Sequence, residues 1–239
     1  MNDILDQDHQ GYIKELTREF FRNVYGYMFL ALAISGGVAF YIGSSEEIFA
    51  SIFMKPTGGI SGLFYVVIFA PMLLSMLIQG GYRRFSISTL TGLFVIYSGL
   101  MGLMLSVIFL AFSMESIAIT FFVSAGAFAG MAILGYTTKT DLTNFGSLLY
   151  MVFIGMFIAM IVNMFMHSEM LDYVVSFIGV FVFTGLTAFW MQKLKNASQD
   201  SMLDGVERKK MALVGGMTLY ILFVNLFLTL LRFTGGSKD

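Results

Sequence analysis

The chain predicts an all-α integral membrane protein, a bundle of seven transmembrane helices with its N-terminus in the cytoplasm and its C-terminus outside. Three observations carry this. First, the 239 residues are 57% hydrophobic and 12% charged, with mean hydropathy +0.81; a soluble domain carries about 25% charged residues. Second, seven apolar segments hold no Asp, Glu, Lys or Arg, and each is near the ~20 residues that cross a bilayer as a helix. Third, eleven of the fourteen Lys and Arg fall in the N-terminal arm and in alternate loops. The same composition narrows the function. A net charge of −1 gives no case for nucleic acid. Zero Cys removes disulfides, thiolate metal sites and thiol catalysis, and His9 and His167 are too far apart in sequence to suggest a metal site.

Taken in order, residues 1–23 open with Asp3, Asp6 and Asp8 and lack the basic start and cleavage site of a signal peptide. Ile13, Leu16, Phe20 and Val24 recur at helical spacing, with Lys14, Arg18 and Arg22 on another face. Two readings stay open: a cytoplasmic amphipathic arm lying at the interface, or a plain extension of the first span. The spans read as 24–43, 61–78, 87–111, 116–136, 145–166, 173–190 and 211–231. Only helices satisfy their own backbone over such runs. Short loops imply antiparallel neighbours, hence a single domain over 24–235 and a short tail at 236–239.

Orientation follows from the cations. Lys14, Arg18, Arg22, Arg83, Arg84, Lys139, Lys193, Lys195, Arg208, Lys209 and Lys210 lie on one side, against Lys55, Arg232 and Lys238 on the other. Removing one span from the count would scramble this division.

Span 4 carries Gly126 and Gly130 as a GxxxG, which lets helix backbones approach closely. It is expected to be a central, tightly packed helix; a homodimer seam is the alternative, with a monomer preferred. Gly155, Ala159 and Asn163 share one face of span 5, which is expected to pack inward with Asn163 bonded to a neighbour. Span 7 puts Tyr220 and Asn225 among apolar side chains, and such groups cost free energy in hydrocarbon unless another helix satisfies them. It should therefore face a bundle and not lipid alone.

Three strings carry a resemblance. They are Gly135-Tyr136-Thr137-Thr138-Lys139-Thr140-Asp141-Leu142; Phe183-Thr184-Gly185-Leu186-Thr187-Ala188-Phe189 followed by Gln192-Lys193-Leu194-Lys195; and Leu219 to Phe227 with Leu230-Leu231-Arg232. In this order across seven spans they resemble the Bax inhibitor-1 (YccA-like) family, over about residues 22–235. The resemblance implies a pH-sensitive calcium-permeable leak in a bacterial inner membrane, with links to restraint of cell death and to a membrane protease. It implies no cofactor; calcium would be the transported ion. It also implies a gate of two aspartates sharing a proton, one late in span 6 and one in span 7. Two carboxylates close together in low dielectric cannot both ionise cheaply, so one pKa rises towards neutrality. Here those two positions hold Trp190 and Leu222. The expectation is therefore a family fold whose path is closed or insensitive to pH, with Trp190 bulky enough to plug a path between spans 6 and 7.

Other polar groups are weighed beside that pair. Asn163, Tyr220 and Asn225 would supply polarity along a path. Arg83 and Arg84 match, by the resemblance, basic residues facing the pathway; a loop that sets topology is the competing reading. Glu115, Glu169 and Asp172 would attract cations at an outer mouth, or are ordinary solvated loop residues. A non-conducting regulator is the alternative function, its cations Lys193, Lys195, Arg208, Lys209 and Lys210 docking a membrane partner such as a quality-control protease. Gly59-Ile60-Ser61-Gly62 resembles the nucleophile string of rhomboid-type proteases, with His167 expected on the same side. The second motif of those enzymes is absent, Ser61 also suits a helix N-cap, and the chain is read as not an enzyme.

Overall fold

A computed structural model describes residues 2–55, 57–200 and 203–234, with residues 2–10 as helix backbone. The tail at 236–239 lies outside the described residues. Nine helices and no strand are found among the described residues: α1 (Asn2–Gly43), α2 (Glu46–Phe53), α3 (Gly62–Gly81), α4 (Ile87–Leu105), α5 (Val107–Ala111), α6 (Met114–Thr137), α7 (Thr143–Met166), α8 (Glu169–Ser198) and α9 (Gly205–Thr234). Seven stretches are long and apolar enough to span a bilayer, with α4 and α5 together making one of them. Phe122, Phe165 and Met170 are each more than 70% exposed. That exposure suits a chain whose outer solvent is lipid.

The helices fall into two compact units, one within Met1–Phe112 and Ser198–Tyr220, the other within Ser113–Ala197 and Ile221–Ser237. In the first, α1 runs unbroken, so the arm and the first span are one helix. Its stripe Phe20, Val24, Met28 and Ala31 is buried, and the helix packs on α4 and on α9. Close approach needs glycine at points that include Gly102 and Gly216. A Cβ on Gly102 would sit 2.7 Å from the Ser35 carbonyl oxygen, and one on Gly216 would sit 2.5 Å from that of Val24.

The loop at 44–60 holds a helix that the hydropathy pattern does not announce. Ser45 caps α2 by accepting from the Ile48 N–H, and Glu46 and Glu47 occupy its first turn, where the helix dipole favours anions. Phe53 joins Ile42 and Val67 in a local core that includes Ile48, Phe49 and Phe64. Ser61 stands at the N-cap position of α3 without making the expected cap bond. Its hydroxyl donates instead to the Ile52 carbonyl at 3.1 Å. It thereby closes the turn that pairs Met54 with Ile60.

In the second unit, Phe223 stacks edge-on against Phe121 and Phe128. The last span is the most buried of the seven, with 72% of its apolar window buried, against 28% for α6. Span 7 therefore faces protein as expected. The expectation for span 4 needs correcting: a Cβ at Gly126 or Gly130 would meet nothing within 4 Å. The GxxxG face is open, and α6 packs through Gly135 instead, where an added Cβ would lie 2.7 Å from Ala188 Cα.

Candidate functional site

The three recognisable strings hold the candidate site, and two of them turn out to be one structure. α6 ends at Thr137 and α7 begins at Thr143, so the turn between them has peptide groups with no helical partner. The end of α8 supplies those partners. Lys195 Nζ donates to the Tyr136 carbonyl at 2.7 Å and lies over the Tyr136 ring. Gln192 works in both directions: its Nε2 donates to the Thr140 carbonyl at 2.7 Å, and its Oε1 accepts from the Leu142 N–H at 2.8 Å. Three glycines bring the backbones close enough. Gly135 lies against the Ala188 backbone, Gly146 against the Phe189 ring, and Gly185 against Leu149.

Asp141 completes the turn. Its Oδ1 accepts from both the N–H and the hydroxyl of Thr143, at 2.9 and 2.6 Å. These bonds, the hydroxyl first, hold its carboxyl below the usual carboxylate value. A folded pKa below the unfolded one means that the contact stabilises above the ordinary Asp range (~3.9) and is lost as pH falls through the lower folded value. Acidification below that range should therefore release Thr143 and speed amide exchange in the first turn of α7. Asp141→Asn, which keeps an acceptor oxygen but does not titrate, should show no such step. Exchange at Thr143 that ignores pH in the parent protein would contradict this.

Trp190 belongs to the same ladder. Its Nε1–H donates to Tyr150 Oη on α7 at 2.7 Å, and Lys193 Nζ lies 4.5 Å from its ring centroid. The indole is half-buried, and its polar edge turns to α7. This corrects the picture of a plug: Trp190 is a hydrogen-bonded member of an aromatic cluster with Tyr150 and Phe189. Leu222 is 6% exposed. Trp190 and Leu222, the two positions that the resemblance sets against an aspartate pair, therefore hold a bonded indole and a buried alkyl group, and neither carries a charge.

The other candidates are satisfied locally or stand alone. Asn163 was expected to bond a neighbouring helix. Its Oδ1 instead accepts from the Ser168 N–H at 2.9 Å, beyond the end of its own helix. Gly155 on the same face meets nothing within 4 Å, so that face does not pack tightly. Asn225 donates to the Ile221 carbonyl one turn back, at 2.8 Å. No hydrogen bond joins Asn163 to Asn225 among the described residues. In the other unit, the Tyr220 ring packs edge-on against Tyr97. Its hydroxyl is buried without a hydrogen bond of normal geometry among the described residues, with Ser35 as a polar neighbour.

Arg83 and Arg84 are exposed. Arg83 Nε donates to Tyr82 Oη at 3.1 Å, and its carbonyl accepts from Lys210 Nζ at 3.4 Å. These contacts favour a loop role over a path-lining one. His167 is the left-handed C-cap of α7, with Nδ1 3.3 Å from the Phe165 carbonyl. The Ser61 hydroxyl is engaged on the Ile52 carbonyl. No cluster of three metal-binding side chains exists among the described residues.

One important residue was read only as a loop charge. Arg208 is 8% exposed, and its guanidinium donates to the carbonyls of Ser198, Asp200 and Leu203 at 2.6, 2.8 and 3.5 Å. It caps the C-terminus of α8 and fixes the connection to α9. Ser198 is tied in turn to Thr17 of α1. The signal was a cation four residues into a helix, just after a short polar loop, but the sequence does not say which cation turns inward.

Comparison with known proteins gives a consistent result. The model of the family described as inhibitor of apoptosis-promoting Bax1 matches residues 17–239. The chain is similar to an Escherichia coli K12 protein named inner membrane protein YbhL, 41% identical over 90% of each chain. It is also similar to a protein of Borreliella burgdorferi, 39% identical over 94% of each, and to one of Rickettsia prowazekii, 37% identical over 94% of this chain and 92% of the other.

Proposed function

The chain belongs to the Bax inhibitor-1 family, and from that premise we propose that it is a degenerate calcium leak of the bacterial inner membrane, its path closed or insensitive to pH. The name of the Escherichia coli relative supports the location. The observation that carries the functional reading is the pair Trp190 and Leu222. Proton-controlled gating needs two carboxylates whose charges repel when both ionise. A bonded indole and a buried leucine offer no group that titrates near neutrality. A lone Asp at a helix centre costs ~2.5–3.5 kcal/mol on insertion scales, so losing both acids together favours the packed state over losing one.

Partner docking, the other reading, gains little from the cation cluster at 193–210. Arg208 is buried on carbonyls, Lys195 and Lys210 donate to backbone, and Lys193 stacks on Trp190. The test is calcium entry into proteoliposomes across roughly pH 6–8, the range over which such a coupled pair would titrate. The expected flux is low and flat. Flux that rises with an apparent pKa near neutrality would overturn the proposal.

A further inference from the structure

Where α7 ends and α8 begins there is a cavity of 370 Å³, with neither Trp190 nor Leu222 in its lining, formed by Met160, Asn163, Met164, His167, Asp172, Val175 and Arg232. The volume falls within the ~300–1,000 Å³ of ordinary small-molecule sites. The lining divides by chemistry. Met160, Met164 and Val175 form an apolar wall. The four polar residues sit at helix ends: Asn163 and His167 at the C-terminus of α7, Asp172 in the first turn of α8, and Arg232 in the last turn of α9. In a spanning helix such ends lie at headgroup depth.

The charges are what select an occupant. Arg232 and Asp172 line one cavity, yet neither has an ion-pair partner among the described residues. Asn163 spends its oxygen on Ser168, which leaves its NH2 free to donate. His167 engages Nδ1 with the Phe165 carbonyl, which leaves Nε2. A simple anion would be repelled by Asp172 and a simple cation by Arg232. A molecule with both charges and an apolar tail meets every part of the lining.

We propose that this cavity binds an amine-bearing phospholipid. Its phosphodiester faces Arg232 and Asn163, its ammonium faces Asp172, and its acyl chains run along Met160 and Met164. Arg is suited to the phosphate because it offers paired donors. A primary ammonium has N–H groups for the carboxylate, whereas a trimethylammonium has none.

The test is native mass spectrometry of the detergent-solubilised full chain, with phosphatidylethanolamine, phosphatidylcholine and phosphatidylglycerol at equal concentration. Phosphatidylethanolamine should be retained about tenfold over the other two, the effect of one charge-assisted hydrogen bond. Arg232→Gln should lower retention of all three. Asp172→Asn should abolish the preference for the amine and raise retention of phosphatidylglycerol. Lys14→Gln, an exposed change on α1, should alter nothing. Both site residues are exposed, so the variants should unfold at the parent temperature. Equal retention of the three lipids by the parent would overturn the proposal, as would a preference unchanged in Asp172→Asn. Competition by soluble glycerophosphoethanolamine at the concentration of the lipid would overturn the assignment to a lipid.

Discussion

Gly135→Ala should destabilise the protein by about 3 kcal/mol, from one added methyl group. The new Cβ would meet the Ala188 carbonyl oxygen and lie 2.7 Å from both its carbonyl carbon and its Cα. These are backbone atoms, which cannot rotate away as a side chain can. Relief would have to come from moving α6 off α8. That movement would strain the bonds from Lys195 to Tyr136 and from Gln192 to Thr140 and Leu142. Gly126→Ala is the matched control. Its Cβ meets nothing within 4 Å, and Ala is the better helix former by up to ~1 kcal/mol. Thermal unfolding in detergent should therefore fall sharply for the first variant and hold or rise for the second. Equal effects would show that α6 does not pack through Gly135.

Arg208→Met should cost a similar amount, about 3 kcal/mol. Two short charge-assisted bonds, to Ser198 and Asp200, are lost, together with a longer one to Leu203. A hydrogen bond to a charged group contributes ~1.5–3 kcal/mol. Met keeps most of the apolar stem, so the loss reports on the guanidinium. Arg208→Lys should recover less than half, because a single ammonium cannot match the fork that spans separate carbonyls. Lys209→Met, at the exposed neighbouring position, should stay within ~0.5 kcal/mol of the parent. Unfolding temperatures read beside protease cleavage in the α8–α9 connection would check this. Intact resistance to cleavage in Arg208→Met would contradict the capping role.

These two residues show where the sequence was legible and where it was not. The seven spans could be placed because a run of about 20 uncharged residues is a one-dimensional signal tied to bilayer thickness. α2 escaped because eight residues are too few for such a signal, and its apolar residues matter only once Val67 and Phe64 are folded against them. The small residues of α6 were legible as residues able to allow close approach. Which glycine is approached depends on the neighbour, and the choice fell on Gly135 and not on the GxxxG. The five cations at 193–210 look alike in a charge count, yet Arg208 is a buried cap, Lys195 serves the Tyr136 carbonyl and Lys209 is solvated.

The recognisable strings marked the candidate site, but not why they belong together. Gln192 lies fifty residues from Leu142 in the chain. Only the fold shows that the first two strings form one hydrogen-bonded joint, with Trp190 as its aromatic edge. Asn163 and Asn225 were legible as polar groups in apolar spans. Their satisfaction by the local backbone, in place of a neighbouring helix, is a matter of rotamer and helix ending that spacing does not encode.

We propose a channel scaffold in which Trp190 and Leu222 stand where the resemblance places a proton-sensing pair. The direct test compares calcium flux in proteoliposomes for the parent and for Trp190→Asp combined with Leu222→Asp, over roughly pH 6–8. Flux in the double variant alone, varying with pH, is the predicted result. An equal, pH-dependent flux in the parent would contradict the claim, because conduction and its gate would then reside in other residues.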